Sequence, residues 1–259
     1  MENLAVRLEC MEVPIKDAIP LAASLGFRAI RFDALGELSP EQLSMTGRRH
    51  LRSMLQMHGL SVAAVGCPTR RGLDNPQRLD IRIEKLCRSL SFAHEMGASC
   101  VVHHLGNIPK DRTTPEGQLF CEVVRKVAAE GDRVGARLAI TTGLDQPSDL
   151  AAFLAEMKLH GLAVNYDPAN LLHRGANIYD GVFELHNDIV LTHLKDAVRT
   201  SASLSGVMET TIGEGDIDWP RLLGCFQQIG YHGWHIVDRE SGDKRLEEIR
   251  KAAAYLRKL

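Results

Sequence analysis

ARLAITTGLDQPSDLAAFLAEMKLHGLAVNYDP, residues 136–168, holds one full repeat of the rhythm that decides the fold. ARLAIT (136–141) is a short apolar run without sustained alternation, the pattern of a strand covered on both faces. A longer segment with helical periodicity follows, and Gly161 is expected to close it, as glycine does at helix C-termini. LAVNYD (162–167) then begins the next apolar run. Strand, helix and strand in this order make a parallel unit with a helical crossover. The two strands end differently, the first on Thr141 and the second on Asp167.

The same unit recurs along the chain. Further strands are expected at AVRLEC (5–10), RAIRFD (28–33), SVAAVG (61–66), ASCVVHH (98–104), DIVLTH (188–193) and GWHIVD (233–238). Ser39-Pro40-Glu41-Gln42 has a cap residue, a proline at the first helical position and a capping-box partner. Asn75-Pro76 and Thr114-Pro115 are expected to open the next two helices. Gly26, Gly59, Gly97, Gly135 and Gly230 stand where helices should end before strands, and a last helix covers roughly Lys244 to Leu259. Eight strands alternating with eight helices predict an α/β fold, a (β/α)8 TIM barrel, as one domain over residues 1–259. No linker or low-complexity tract divides the chain. An open doubly wound sheet is disfavoured, because no G-x-G-x-x-G follows the first strand.

Composition bounds the partners. The 259 residues suit one barrel, and 44% hydrophobic with 25% charged residues suits a globular protein with a large core. A net charge of -2, with Lys and Arg scattered, argues against nucleic acid. The six cysteines form no C-x-x-C pair and are expected as buried reduced thiols. No secretory leader and no apolar run of about 18 residues is present, so a cytoplasmic protein without membrane attachment is expected.

In a barrel, chemistry gathers where strands run out into the loops at their C-terminal ends. Those ends offer Glu9, Asp33, Cys67, His103 and His104, Thr141, Asp167, His193, and Asp238 with Glu240. Asp167, His193 and Asp238 come from three consecutive strands. Their oxygen and nitrogen donors would suit a divalent cation such as Mn²⁺, Zn²⁺, Co²⁺, Fe²⁺ or Mg²⁺, with positions left open for substrate. Taken singly, each of the three reads equally well as a helix cap or a member of an ion pair.

VNYDPANLL (164–172), THLKDA (192–197), IGEGDIDWPRLL (212–223) and YHGWHIVDRESGD (231–243) together carry a resemblance. In content and order they resemble the xylose isomerase-like TIM barrels, in particular the sugar phosphate isomerase/epimerase group related to endonuclease IV-type barrels. The resemblance implies a divalent metal, Mn, Zn, Co or Mg, held by Glu, Asp, His and Glu from four strand ends. Such a metal polarises a sugar carbonyl, and in epimerases the two glutamates move protons on opposite faces of the carbon. By position Asp167 and His193 match the family Asp and His, while Asp238 and Thr141 fall where the two glutamates are expected. Thr141 is neutral and no base near pH 7, and Asp238 is shorter than glutamate by one bond, about 1.5 Å. A weakened metal site is therefore expected, with Asp238 and Glu240 as the catalytic carboxylates and Glu9 or Asp33 as reserves.

For substrate contacts the resemblance points to His103 or His104, whose neighbouring positions should send only one to the site, and to Asn170, Lys195 and Arg199 beside Thr141. Lys195 could instead pair locally with Asp196. Arg70 and Arg71 read as solvated or as a phosphate contact, and Gly213-Glu214-Gly215 as a tight turn before the helix start at Asp218-Trp219-Pro220. The implied function is metal-dependent isomerisation or epimerisation of a small sugar, polyol or keto-sugar. The alternatives are a non-catalytic sugar-binding barrel and a one-base lyase or dehydratase. An endonuclease is disfavoured, since Val207-Met208-Glu209 lacks the histidine of that type. Relatives often associate, so a homo-oligomer is a further expectation, although no interface stripe is visible.

Overall fold

Eight parallel strands close into a barrel in the computed structural model, which describes residues 3–201, 203 and 206–259. The strands are β1 (Leu4–Arg7), β2 (Ala29–Asp33), β3 (Ser61–Gly66), β4 (Cys100–His103), β5 (Arg137–Thr141), β6 (Leu162–Tyr166), β7 (Ile189–Leu194) and, after an insertion, β10 (Trp234–Val237). Each pairs with its neighbour in sequence, and β10 closes the ring between β7 and β1. Ile236 lies level with His193 on one side and Ala5 on the other. The inserted β8 (Asp196–Arg199) and β9 (Val207–Thr210) form a separate antiparallel ribbon.

The two faces of each strand explain its composition. Outward residues such as Val6, Ile30, Leu138, Val164, Leu194 and Val237 join the large apolar layer between barrel and helices. Inward residues are small: Ala5, Ala29, Ala63, Ala64, Cys100 and Ala139 belong to a separate cluster inside the barrel. Small side chains low in the barrel leave space above them for long polar ones.

The helices are α1 (Ile15–Ser24), α2 (Met45–Met57), α3 (Leu79–Glu95), α4 (Pro115–Val134), α5 (Pro147–Met157), α6 (Pro168–His173), α7 (Asp180–Glu184), α8 (Trp219–Gln228) and α9 (Arg245–Leu256). Thr114 and Asp218 cap α4 and α8 as expected, accepting from Gly117 N at 3.1 Å and Arg221 N at 3.1 Å. Each such cap contributes about 1 kcal/mol. Other punctuation is displaced. Ser39-Pro40 forms a turn, and Ser44 caps α2 instead. Asn75 holds a turn through Gln77 N, and α3 starts only at Leu79. Helix α5 ends on Lys158 in the left-handed conformation rather than on Gly161. Gly161 is needed for another reason: a Cβ there would strike the backbone of Ala128. Strict alternation also fails after β6, where α6 and α7 follow in succession, and after β7, where the ribbon intervenes.

The cysteines are free, all buried except the half-buried Cys87. No helix among the described residues is long and apolar enough to cross a membrane.

Candidate active site

The inward alternation of β1, β2, β5, β6, β7 and β10 brings their last residues to one mouth of the barrel. A cavity of about 540 Å³ opens there, lined by Arg7, Arg31, His103, His104, Thr141, Asp167, Asn170, His193, Lys195, Asp238 and Glu240. Of these, Arg31, His103, Thr141, Asp167, His193, Lys195 and Asp238 are buried.

The Thr141-Thr142-Gly143 end of β5 serves three purposes. The Thr141 hydroxyl lines the cavity and accepts from Asn165 Nδ2 at 3.1 Å, while the same amide nitrogen lies 3.0 Å from His193 Nδ1. Asn165 thus fixes Thr141 and His193 together from β6. Thr142 turns away and clamps the main chain of Asp167: its Oγ1 accepts from Asp167 N at 2.8 Å and donates to Asp167 O at 3.3 Å. Gly143, with φ +118°, lets Asn170 approach where a side chain would collide with its Cβ. Asp167 in turn caps α6, its Oδ1 accepting from Asn170 N at 3.0 Å.

Cations cover the carboxylates. Lys195 Nζ lies 2.9 Å from Asp167 Oδ2 and 3.3 Å from Glu240 Oε2. Arg7 reaches Asp33 at 2.7 Å, Glu240 at 2.6 Å and Asp238 at 3.5 Å. Arg31 reaches the other oxygen of Asp33 at 2.7 Å. Gly66 on β3 makes room for this last pair, since a Cβ there would strike both Asp33 and Arg31. Asp238 also accepts from the buried Cys10 thiol at 2.9 Å.

These contacts set the protonation states. Burial pushes the Asp167 carboxyl up to about 6, against the pull of Lys195 and the Asn170 N–H. For Asp238 burial acts upward too, but Arg7, Lys195 and Arg31 outweigh it and hold the group below the usual carboxylate range. Glu240 is also lowered, with burial overcome chiefly by Lys195 and Arg7. Burial alone would discharge Lys195, yet Asp167, Asp238 and Glu240 raise it above its ordinary value, so it is an ammonium and not a free amine. Burial keeps His193 neutral, well below its usual range, and brings His103 down to about 4.

Not every residue expected at the site is there. Arg199 lies exposed on the ribbon and lines a different groove with Tyr179 and Arg221. The ribbon starts at Asp196 and carries Arg199 away from the barrel axis. Arg70 and Arg71 are exposed outside the cavity lining. Both His103 and His104 line the cavity, although only one was expected to; His103 is also anchored through Nδ1 to the Cys67 carbonyl at 2.8 Å. Lys195 does not pair with Asp196. The Asp196 carboxylate instead accepts from Ala197 N, Gly213 N and Trp219 Nε1, each at 2.8 Å, and from Gly215 N at 3.2 Å. Asp33 is taken up by the two arginines, and Glu9 turns to the Asp33 backbone N–H at 2.5 Å. Arg7, Arg31, Asn165 and Cys10 are the participants that sequence reasoning missed. The alternations Ala5-x-Arg7 and Ala29-x-Arg31-x-Asp33 carried the signal for the arginines, because residues two apart share a strand face.

The donor set was tested against the metal that the resemblance implies. Among the described residues, no group of three or more His, Cys, Asp or Glu side chains could hold a metal ion. Of the positions matching the family ligands, Thr141 is neutral, Asp167 is bound to Lys195, and Asp238 faces Arg7 and Cys10. His193 Nε2 has no hydrogen-bond partner, and Asp167 Oδ2 is held by the Lys195 ammonium as an ion pair. This set does not fit a divalent cation, which favours several anionic or lone-pair donors free of competing positive charge.

Comparisons with known proteins agree with the architecture. No curated protein matches the chain. Among solved structures, a xylose isomerase domain protein from Planctomyces limnophilus superposes with a TM-score of 0.85 at 17% identity, covering 98% of this chain and 94% of that one. The 3-keto-D-glucoside 4-epimerase from E. coli has a TM-score of 0.79 at 13% identity, over 100% of both chains. The D-psicose 3-epimerase from Clostridium cellulolyticum H10, solved with D-tagatose, has a TM-score of 0.79 at 16% identity, over 98% of this chain and 97% of that one. At these identities the likeness shows the fold alone. The sequence itself goes further: the model of the xylose isomerase-like TIM barrel family matches residues 19–259, and the chain belongs to that family.

Proposed function

We propose that this protein is a sugar isomerase or epimerase that moves a proton next to the carbonyl of a small sugar or keto-sugar at the barrel mouth. One observation carries this reading. Three residues that line the cavity carry buried polar atoms with no hydrogen-bond partner within the protein: His103 Nε2, His193 Nε2, and Nε and Nη1 of Arg31. Each such atom costs about 1–3 kcal/mol if left unpaired, so the site calls for a ligand bearing many hydroxyl and carbonyl groups. The epimerases among the structural neighbours support the same substrate class.

Proton transfer suits a group that titrates near the working pH. Asp167 at about 6 is better matched to that task than Asp238 or Glu240, which the cations hold ionised. Glu240 lies at the open side and has the easier approach to substrate, its side chain being 51% exposed. No step in this scheme passes through a metal.

The test is solvent exchange. A panel of ketoses and keto-sugars is incubated with the protein in ²H₂O and followed by NMR for deuterium beside the carbonyl. Incorporation that disappears in Asp167→Asn is the expected result. If no member of the panel binds or exchanges, the reading fails. Binding without exchange would favour a non-catalytic sugar-binding barrel, for which Thr141 in place of a carboxylate speaks.

A further inference from the structure

We infer that the Lys195 ammonium stands where relatives would place a divalent metal, so that this barrel holds its carboxylates with a built-in cation and binds no metal there. The inference deepens the proposed function by naming the positive group of that site.

Lys195 follows His193 by two residues at the end of β7, and so extends to the same inward side. Its Nζ lies 2.9 Å from Asp167 and 3.3 Å from Glu240, bridging the ends of β6 and β10 across the intervening strand. A metal joining those strand ends would have to share that space. An ammonium has three N–H groups; two serve Asp167 and Glu240, and the third remains for a ligand oxygen in the cavity.

Charge supports the same assignment. Lys195, Arg7 and Arg31 face Asp33, Asp167, Asp238 and Glu240, so positive and negative groups nearly balance without a further ion. Thr141 in place of a carboxylate agrees with this count, since a fifth acid would leave the cluster too negative for its three cations. The neighbouring Arg7 already occupies both Asp238 and Glu240, which removes them as ligands in turn.

The experiment reads metal, not turnover. The purified chain is dialysed, analysed for Mn, Fe, Co, Zn and Mg, and titrated with Mn²⁺ in a calorimeter. The expected result is far less than one metal per chain and no saturable Mn²⁺ binding. The double variant Thr141→Glu, Lys195→Met restores a carboxylate and removes the cation; it should show saturable Mn²⁺ binding approaching one per chain, which the wild type lacks. Lys195→Arg, which keeps the charge, should bind none and serves as a folded control. Near-stoichiometric metal in the wild type, released by EDTA and unchanged in Lys195→Met, overturns the inference. The sugar panel described above fails or succeeds independently. Sugar exchange by a metal-loaded wild type sinks only this inference, whereas a metal-free wild type without sugar binding sinks only the functional reading.

Discussion

Replacing Lys195 by methionine leaves Asp167, which is 0% exposed, without the ammonium 2.9 Å away. The methylene stem is kept, so the loss is mainly electrostatic. Removing one partner of a buried ion pair costs about 3–5 kcal/mol, because the other charge stays desolvated. Asp167→Asn also strands a lysine that is only 6% exposed, but it removes a carboxylate whose charged form burial already disfavours, so it should cost less than Lys195→Met. The double variant removes both charges and should be less destabilised than the sum of the singles by about 2–3 kcal/mol. For a domain of this size each 1 kcal/mol moves the midpoint by roughly 2–4 °C, so Lys195→Met should melt roughly 6–20 °C below the wild type. Urea unfolding of all four proteins at pH 7.5 gives the cycle. At pH 5 the penalty of Lys195→Met should shrink, since Asp167 is then largely protonated in the fold. Single effects below about 0.5 kcal/mol, or strictly additive ones, would mean that the pair is solvated and the picture of a closed ionic floor is wrong.

Further outcomes follow from the same geometry. The Asp167 carboxyl sits at about 6, above its unfolded value. Its contribution to stability is therefore fully present below about pH 3.9 and is lost as pH rises through about 6, a change of roughly 3 kcal/mol that Asp167→Asn should flatten. An identical pH slope in urea midpoints for both proteins refutes this. Gly66→Ala should destabilise by about 1–3 kcal/mol, because the added methyl displaces Asp33 and Arg31; an unchanged urea midpoint would show that the barrel interior is looser than described. Asp196→Ala, which strands four N–H donors, should cost more than about 3 kcal/mol yet leave sugar affinity within twofold, as measured by calorimetry. A selective loss of sugar affinity at full stability would place Asp196 in the site instead.

The fold was legible because strand periodicity is local. Each apolar run from AVRLEC to GWHIVD needs only its own residues to signal a covered strand, and each became one. Helix starts were read less well, because a serine before a proline satisfies the same rule whether a helix or a turn follows. Ser39 and Ser44 both cap, and only Ser44 caps a helix. Asp167, His193 and Asp238 line one cavity, because position along a strand fixes which end and face a side chain occupies. Their partners were not legible. Lys195 follows Asp167 by 28 positions and Arg7 precedes Asp238 by 231, and nothing short of the closed ring says that they meet.

That last point connects fold to chemistry. Ionisable residues occur two apart at four strand ends: Arg7 with Glu9, Arg31 with Asp33, His193 with Lys195, and Asp238 with Glu240. Arg31 meets Asp33 on its own strand at 2.7 Å, but the short contacts of Arg7 run between strands. Arg7 lies 3.6 Å from its own-strand Glu9 but 2.7 Å from Asp33 on β2 and 2.6 Å from Glu240 beyond β10. The contacts of Arg7 with Asp238 and Glu240 exist only because β1 lies beside β10, the pairing that closes the ring. Closure and neutralisation of the site are therefore one event. An opened ring would leave Asp238 facing the cavity without Arg7, so the ionic floor acts as a lock on the final strand pairing as well as the bed on which a substrate would lie.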